Sequence, residues 1–185
     1  MKERIELTTP FSDDVIKSLK VGDLVYISGV VYTARDAAHK KMYELLEKSE
    51  PMPFNFTGAA IYYAGPCPPK PGKPIGSVGP TTSGRMDLYS PRLIEEGLKV
   101  MIGKGLRSSE VIDAIVKYNG VYFAAIGGAA ALMAKSVESA EVIAFEELGT
   151  EAIRKLYVNN LPVIVAIDCH GNNMYVEGRK QFERK

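Results

Sequence analysis

The amino-acid sequence predicts an α/β domain whose central sheet is partly parallel. From about residue 80 onward, apolar runs of strand length alternate with amphipathic helical patterns, which is typical of such a sheet. Before that point, strand-like runs predict additional β structure beside the sheet. The 185 residues suffice to bury a substantial core, so we predict a single domain over residues 1–185.

The first third of the chain is mainly strand-forming. The predicted elements are strands at residues 4–8, 24–31 and 57–64 and helices at residues 12–19 and 36–48. Ser12 supplies an N-cap for the first helix, and Asp13 and Asp14 add negative charge to its first turn. Ser28 and Gly29 break the second strand, which indicates that the backbone comes close to something there.

A proline-rich segment follows the third predicted strand. Residues 65–74 contain five prolines, so neither a helix nor a central strand is expected there. A stiff connection of this length fits a lid over a functional site, and a surface linker fits the same composition equally well.

The second half of the chain alternates strands with helices. The predicted elements are strands at residues 99–102, 121–126, 142–145 and 162–167 and helices at residues 88–98, 110–118, 129–134 and 150–156. Pro91 interrupts the first of these helices, Ser108 or Ser109 caps the second, and Gly120 ends it.

Charge and composition exclude several functional classes. Lys and Arg number 23 against 22 Asp and Glu, so no field of one sign would recruit nucleic acid or a membrane. No apolar run approaches the roughly 20 residues of a membrane span, and no secretory core follows the first residues, which favours a cytoplasmic protein. Cys67 and Cys169 lack a second cysteine at metal-ligand spacing, so no metal site is predicted on this chain.

Residues 79–87, with the sequence GPTTSGRMD, have the composition of an anion-binding loop. Gly84 permits close backbone approach, and Thr82 or Ser83 can cap the helical pattern that follows. Free N–H groups at such a helix start attract a carboxylate or phosphate, and the Arg85 guanidinium fits a carboxylate. A capped helix start with a surface arginine is the simpler alternative.

Three cations follow predicted strands or sit in turns. Arg35 follows the second strand, Arg85 lies in the glycine-threonine loop, and Lys104 stands between two glycines. Ligands bind α/β sheets at the strand ends, so three convergent cations could grip a small dicarboxylate. Taken singly, each is also consistent with a solvated surface side chain.

Four ordered segments resemble the β subunit of the iron–sulfur-dependent class I fumarases and L-tartrate dehydratases. The segments are residues 32–40 (YTARDAAHK), 79–87 (GPTTSGRMD), 101–105 (MIGKG) and 126–130 (IGGAA). The likeness covers residues 7–172, and the second segment is highly specific. In single-chain members of the family, this unit is the C-terminal domain.

The resemblance implies a swivelling β/β/α domain that closes over an active site shared with an α subunit, in a heterotetramer. That partner would carry the [4Fe–4S] cluster, which this chain would not hold. Residues at the positions of Arg35, Arg85 and Lys104 would bind the substrate carboxylates. Thr81 would be the base at the carbon that loses its proton, and Lys104 would help to stabilise the charge that develops.

The implied reaction is the reversible hydration of fumarate to malate. An L-tartrate dehydratase β subunit, a dehydratase for another hydroxy acid, and a non-catalytic module that binds a carboxylate or phosphate are the alternatives. A β subunit without its partner would expose a docking surface, so self-association of the isolated chain is expected.

Three further residues attract attention for their chemistry. His39 lies four residues after Arg35 and could orient it or touch a substrate, although a surface position on the helix is the commoner case. His170 adjoins Cys169, but adjacent side chains rarely face each other, so no nucleophilic dyad or metal site is predicted there. Asp168 at a strand end is interpreted as stabilising its own turn.

Overall fold

The computed structural model describes residues 4–183 and has an α/β architecture, as predicted. The strands are β1 (Ile5–Thr8), β2 (Leu24–Thr33), β3 (Ala60–Tyr62), β4 (Val100–Gly103), β5 (Val121–Ala124), β6 (Val137–Ala144) and β7 (Ile153–Ile167). The α-helices are α1 (Asp13–Ser18), α2 (Asp36–Glu47), α3 (Ser90–Glu95), α4 (Ser109–Lys117), α5 (Ala130–Lys135) and α6 (Met174–Phe182). Two 3-10 helices cover Ser83–Met86 and Glu146–Glu151.

The seven strands form a mixed sheet with the order β1-β2-β3-β4-β5-β7-β6. The pairs from β1 to β5 are parallel, whereas β7 runs antiparallel to β5, β6 and β2. Because β7 pairs with β2 as well as β5, the strands β2-β3-β4-β5-β7 close into a ring. This arrangement confirms the predicted partly parallel sheet. The prediction of separate β structure beside it is wrong, because the early strands β1, β2 and β3 pair within the same sheet.

Successive side chains of each strand point to opposite faces. The ring of strands therefore has one hydrophobic core on its inside and a second on its outside. Tyr62 and Phe123 belong to one core, which fills the inside of the ring. Ile61, Tyr63 and Tyr122 point the other way, into a second core that the helices α2, α3 and α4 cover. The site described below is built on this outer, helix-covered layer.

The predicted helix at residues 150–156 is wrong. Glu146–Glu151 forms a 3-10 helix, and β7 begins at Ile153, so the predicted strand at residues 162–167 is only the end of a 15-residue strand. Leu156 and Val158 are buried, and the intervening Tyr157 is half exposed, which is the alternation of a strand. Pairing of β7 with β2 and β6 overrides the helix-favouring local composition.

Several element ends differ from the sequence-based expectations. Pro91 lies in the first turn of α3, where its missing N–H costs nothing, so it starts this helix instead of interrupting it. Ser108 is the N-cap of α4, since its hydroxyl accepts a hydrogen bond from the Val111 N–H. After α4 the left-handed residue is Asn119, with φ of 54°, and not Gly120. Within residues 4–183, no helix is long and apolar enough to cross a membrane.

Candidate active site

The carboxyl ends of β2, β3 and β4 lie side by side, because these three strands are neighbours and parallel. Thr33 pairs with Tyr62, and Tyr62 pairs with Ile102, so the strands end at nearly the same level. Arg35 follows the end of β2, and Lys104 follows the end of β4. Topology therefore carries two of the predicted cations to one edge of the sheet.

The loop at residues 79–87 is attached to this edge by backbone hydrogen bonds. The Thr81 N–H donates to the Tyr63 carbonyl at 2.7 Å, and the Lys104 N–H donates to the Thr81 carbonyl at 3.3 Å. Ser83 N–H in turn donates to the Lys104 carbonyl at 2.8 Å. Thr81 is half-buried, whereas Lys104 is exposed. The predicted base and the predicted cation are thus neighbours through their backbones.

Close packing of this loop depends on Gly103. A Cβ atom at this position would lie 2.0 Å from Ser83 Oγ and 3.0 Å from the Tyr63 ring. The corresponding point at Gly84 is 3.6 Å from the nearest atom, an ordinary contact, so close approach of an anion to the Gly84 backbone stays a prediction. The predicted cap is wrong, since Thr82 makes no side-chain cap bond to the Ser83–Met86 3-10 helix and Ser83 is the first residue of that helix.

Asp36 connects the two predicted arginines. Its Oδ2 forms a hydrogen-bonded ion pair with Arg85 Nη2, and its Oδ1 lies 3.8 Å from Arg35 Nε. Arg35 also lies 3.3 Å from a carboxylate oxygen of Glu151. Within residues 4–183, Lys104 Nζ has no ion pair, whereas Arg35 and Arg85 each pair with a carboxylate. Asp36 therefore links Arg35 to Arg85, a backbone hydrogen bond links Thr81 to Lys104, and the short loop from Thr81 to Arg85 joins the two pairs.

Comparison with known proteins decides the family. The sequence matches the family described as "Fumarase C-terminus" over residues 1–178. The chain belongs to this fumarase C-terminus family.

Curated relatives of this family include separate β subunits and longer enzymes. The chain is 43% identical over 176 residues to a putative L(+)-tartrate dehydratase subunit beta of Methanocaldococcus jannaschii, covering 92% of this chain and 90% of that one. It is 36% identical over 184 residues to the L(+)-tartrate dehydratase subunit beta of Escherichia coli, covering 97% and 90%. It is 37% identical over 176 residues to the anaerobic class I fumarate hydratase of Escherichia coli, covering 93% of this chain but 32% of that enzyme. The chain therefore spans about a third of such a fumarate hydratase.

Beneath the edge that carries these residues, this fumarase C-terminus chain buries an arginine that the sequence did not single out. The Arg107 side chain is 0% exposed, and its Nε donates to Asp87 Oδ1 at 2.7 Å. Its Nη2 donates to Ser90 Oγ at 2.9 Å, and its guanidinium lies 4.9 Å from the centre of the Tyr122 ring. The Tyr122 hydroxyl lies 2.9 Å from Ser83 Oγ. The ion pair of Arg107 and Asp87 therefore packs beneath the loop at residues 79–87 and stabilises it.

His39 is fully buried, so the predicted surface position of this side chain is wrong. Its Nδ1 lies 2.9 Å from the Arg35 carbonyl oxygen, which can only accept, so Nδ1 carries the proton and donates it. The ring also packs edge-on against Tyr63, with 5.1 Å between centroids. Burial lowers the pKa of His39 to about 4, which keeps the ring neutral beside the cationic site.

The C-terminal turn has the structural role predicted for Asp168. Asp168 Oδ1 accepts hydrogen bonds from the N–H groups of His170 and Asn172 at 3.0 and 3.1 Å. Cys169 is buried, with its Sγ 3.9 Å from the Ile16 carbonyl, while His170 Nε2 lies 3.4 Å from the Lys17 carbonyl. The two adjacent side chains contact different carbonyl groups and form no dyad.

A surface cavity of about 560 Å³ adjoins the loop at residues 79–87, since Asp87 and Leu88 line it. Two other cavities lie away from the cationic edge. Cavities of about 460 and 590 Å³ lie beside the proline-rich loop, and both are lined by Cys67 and Ile75. Their linings are largely apolar and include none of the four predicted residues. We give more weight to the edge, because paired charges and a free ammonium group bear directly on dicarboxylate chemistry. Among residues 4–183, no group of three or more His, Cys, Asp or Glu side chains is placed to hold a metal ion.

Proposed function

We propose that this chain is the β subunit of a [4Fe–4S]-dependent hydro-lyase that reversibly hydrates fumarate to malate. The observation that carries the proposal is the double contact of Asp36 with Arg35 and Arg85, beside Thr81 and Lys104, at one edge of the sheet. Membership of the fumarase C-terminus family and the similarity to class I fumarate hydratases support the same reaction type. L-tartrate dehydration is the second candidate, favoured by the 43% identity to a putative tartrate dehydratase subunit.

In this proposal, Arg35 and Arg85 bind the carboxylates of the substrate. A guanidinium presents its N–H groups in a planar fork that matches a carboxylate, and Asp36 holds the two forks near each other. The site has three cationic side chains and two carboxylates, those of Asp36 and Glu151, so its net charge is +1. Correct orientation of the forks therefore contributes more to recognition of a dianion than net charge does.

Thr81 and Lys104 act on the proton in the proposed mechanism. An alcohol is a weak base, so Thr81 needs a neighbouring cation that stabilises its alkoxide. The Lys104 N–H donates a hydrogen bond to the Thr81 carbonyl, and the Lys104 side chain has no carboxylate partner among residues 4–183. Its ammonium group is available to offset the negative charge that develops on the substrate when the proton leaves.

The α subunit is proposed to hold the [4Fe–4S] cluster. When bound, the cluster supplies a Lewis acid for the hydroxyl group that leaves the substrate. Exposed apolar side chains beside the site support a protein partner at this edge, since Leu88 is 80% exposed and Leu106 is 63% exposed. The Leu106 carbonyl lies 3.6 Å from the position of a Cβ on Gly84, so both leucines flank the candidate loop.

The decisive experiment is anaerobic co-expression with an α subunit, followed by assays with fumarate, malate and the tartrate stereoisomers. Turnover of fumarate and malate is expected, and turnover of L-tartrate alone would select the second candidate. Binding of these acids without any turnover, in a complex with a fully loaded cluster, would contradict the enzymatic proposal and favour a non-catalytic binding module.

A further inference from the structure

Glu151 bridges the side chain of Arg35 and the start of the helix that follows Arg35. One carboxylate oxygen lies 3.3 Å from Arg35 Nη2. The other accepts a hydrogen bond of 3.0 Å from the Ala37 N–H, although 114 residues separate the two positions. The Glu151 side chain is only 22% exposed, so water screens these contacts weakly. A single carboxylate thus touches both the candidate ligand-binding cation and its backbone support.

The start of α2 has no local cap. Arg35 occupies the N-cap position and makes no side-chain cap bond, which leaves the first N–H groups of the helix without a local partner. Glu151 supplies the missing acceptor from a distant part of the chain, and its negative charge suits the positive end of the helix. The contact therefore fixes the backbone from which the Arg35 side chain extends.

The remaining surroundings of Arg35 leave its guanidinium little room. A Cβ on Gly65 would lie 3.0 Å from Arg35 Cδ and Nη1, so the Arg35 side chain packs tightly against the Gly65 backbone. On the backbone side, His39 donates to the Arg35 carbonyl. Arg35 Nε is buried and has no hydrogen-bond partner in the structure. The ion pair with Glu151 is consequently the main polar contact that sets the direction of the fork.

Glu151 is the last residue of the second 3-10 helix, and hydrogen bonds to the backbone around it hold it in place. The Arg154 guanidinium donates to the carbonyl oxygens of Gly149, Thr150 and Ala152 at 3.0, 3.4 and 3.4 Å. These carbonyls flank Glu151 in the sequence, so this segment cannot reorient without losing the bonds. The carboxylate therefore has a fixed position from which it can orient Arg35.

We propose that Glu151 is a positioning residue, which aims the Arg35 guanidinium at a carboxylate of the substrate. This inference rests on the proposed function, because it assumes that Arg35 binds the dicarboxylate. The role is electrostatic and directional: a carboxamide at this place can still accept from the Ala37 N–H, but it would present an N–H group to the guanidinium.

The test compares Glu151→Gln with Glu147→Gln in the cluster-loaded complex. Glu147 lies in the same 3-10 helix and pairs with Lys41, away from Arg35, so it is the matched control. Glu151→Gln is expected to raise KM about tenfold with a smaller change in kcat, because misdirected binding groups weaken substrate capture. Glu147→Gln is expected to leave KM unchanged. Equal KM values for Glu151→Gln and the unaltered enzyme would overturn the inference.

Arg35→Ala separates this inference from the proposed function. If Arg35→Ala leaves KM unchanged, the assignment of Arg35 to substrate binding fails. If Arg35→Ala raises KM and Glu151→Gln does not, only the positioning role fails. The expected result is that the double variant has the same KM as Arg35→Ala alone, since Glu151 acts only through Arg35.

A second measurement uses the full chain without its partner, so it gives a result even when a variant does not assemble with the α subunit. The ¹⁵Nε resonance of Arg35 is expected to show a high heteronuclear NOE in the unaltered chain and a clearly lower one in Glu151→Gln. An unchanged NOE would overturn the positioning role whatever the kinetic result. The Glu147→Gln chain is again the control and is expected to retain the high NOE.

Discussion

Arg85 donates a hydrogen bond to Asp36 across 49 residues of sequence and thereby ties the loop at residues 79–87 to the start of α2. The same aspartate lies 3.8 Å from Arg35 Nε, so one carboxylate sets the spacing of two guanidinium groups. Half of the Arg85 side chain is exposed, which leaves its remaining N–H groups accessible to a ligand. The three side chains that make these contacts all belong to this one chain.

Thr81→Ala tests the proposed base directly. In the complex with the α subunit, we expect kcat to fall by at least about 100-fold while KM changes little, because a general base contributes on the order of 10²–10⁴-fold. Thr82→Ala is the matched control, since Thr82 is the exposed neighbour in the same loop. Steady-state kinetics measure both values. An unchanged kcat for Thr81→Ala would remove Thr81 from the chemistry.

The sequence predicted that Arg35 and Lys104 follow strands, because that signal is local. Arg35 and Lys104 each follow an apolar run closely, and parallel neighbours bring such ends together without further information. Glu151 and Arg107 escaped prediction, because each resembles an ordinary surface charge until its partner from a distant segment is known. The wrong helix prediction at residues 150–156 has the same cause, because strand pairing with the distant β2 and β6 decides the structure of this segment.

His39 shows a signal that was present but weak. Ala38 and Met42 form the buried face of α2, and His39 lies three residues before Met42 on the same side of the helix. The helical spacing therefore indicates that the His39 ring points towards the core, whereas the polarity of histidine favours a surface position. The hydrogen bond to the Arg35 carbonyl explains how a histidine is accepted there.

Burial of His39 predicts a loss of stability in mild acid. Its pKa is lowered from 6.5 to about 4, chiefly by desolvation, so below pH 6.5 the unfolded chain takes up a proton that the folded chain does not. Stability is therefore lost as the pH falls from 6.5 towards 4. The expected contribution is about 2 kcal/mol between roughly pH 7 and pH 5, from 1.36 kcal/mol per pKa unit.

Urea unfolding of His39→Asn measures this contribution. Asparagine can donate to the Arg35 carbonyl but does not titrate, so its free energy of unfolding should depend less on pH over the same interval. The comparison concerns the slopes, because the smaller side chain lowers stability at every pH. Equal slopes for the variant and the unaltered chain would show that His39 does not carry the acid sensitivity.

Gly103→Ala should displace the candidate loop. The new methyl group would lie 2.0 Å from Ser83 Oγ, so the loop must shift. We expect a loss of about 1–3 kcal/mol in the free energy of unfolding, the usual cost of overpacking, together with a fall in kcat/KM. Gly127→Ala is the control, because a Cβ there would meet nothing within 4 Å.

A second substitution tests whether the clash with Ser83 causes the effect of Gly103→Ala. Removing the Ser83 hydroxyl in Gly103→Ala/Ser83→Ala leaves Ser83 Cβ, at 3.3 Å, as the nearest atom of that residue. The double variant should therefore recover part of the stability that Gly103→Ala loses, as measured by urea unfolding. A double variant that is less stable than Gly103→Ala would show that the contact with Ser83 is not the cause.

Arg107 and Asp87 should be strongly coupled in stability. Arg107→Met leaves the largely buried Asp87 carboxylate without its charged partner, which is expected to cost about 3–5 kcal/mol in the free energy of unfolding. Arg107→Met/Asp87→Asn removes both charges, while the amide oxygen can still accept from the Ser108 N–H. The double variant should therefore be more stable than Arg107→Met alone, because the isolated buried charge, and not the lost bond, dominates the penalty.

A double-mutant cycle by urea unfolding gives the coupling between the two residues. Arg92→Met is the control: Arg92 is paired with Glu95 and Glu96 on the surface of α3, where water screens the charges, so stability should scarcely change. Additive effects of Arg107→Met and Asp87→Asn would mean that each side chain is held independently of the other. In that case the support beneath Ser83 would come from the Tyr122 hydroxyl, and the buried ion pair would have no part in shaping the site.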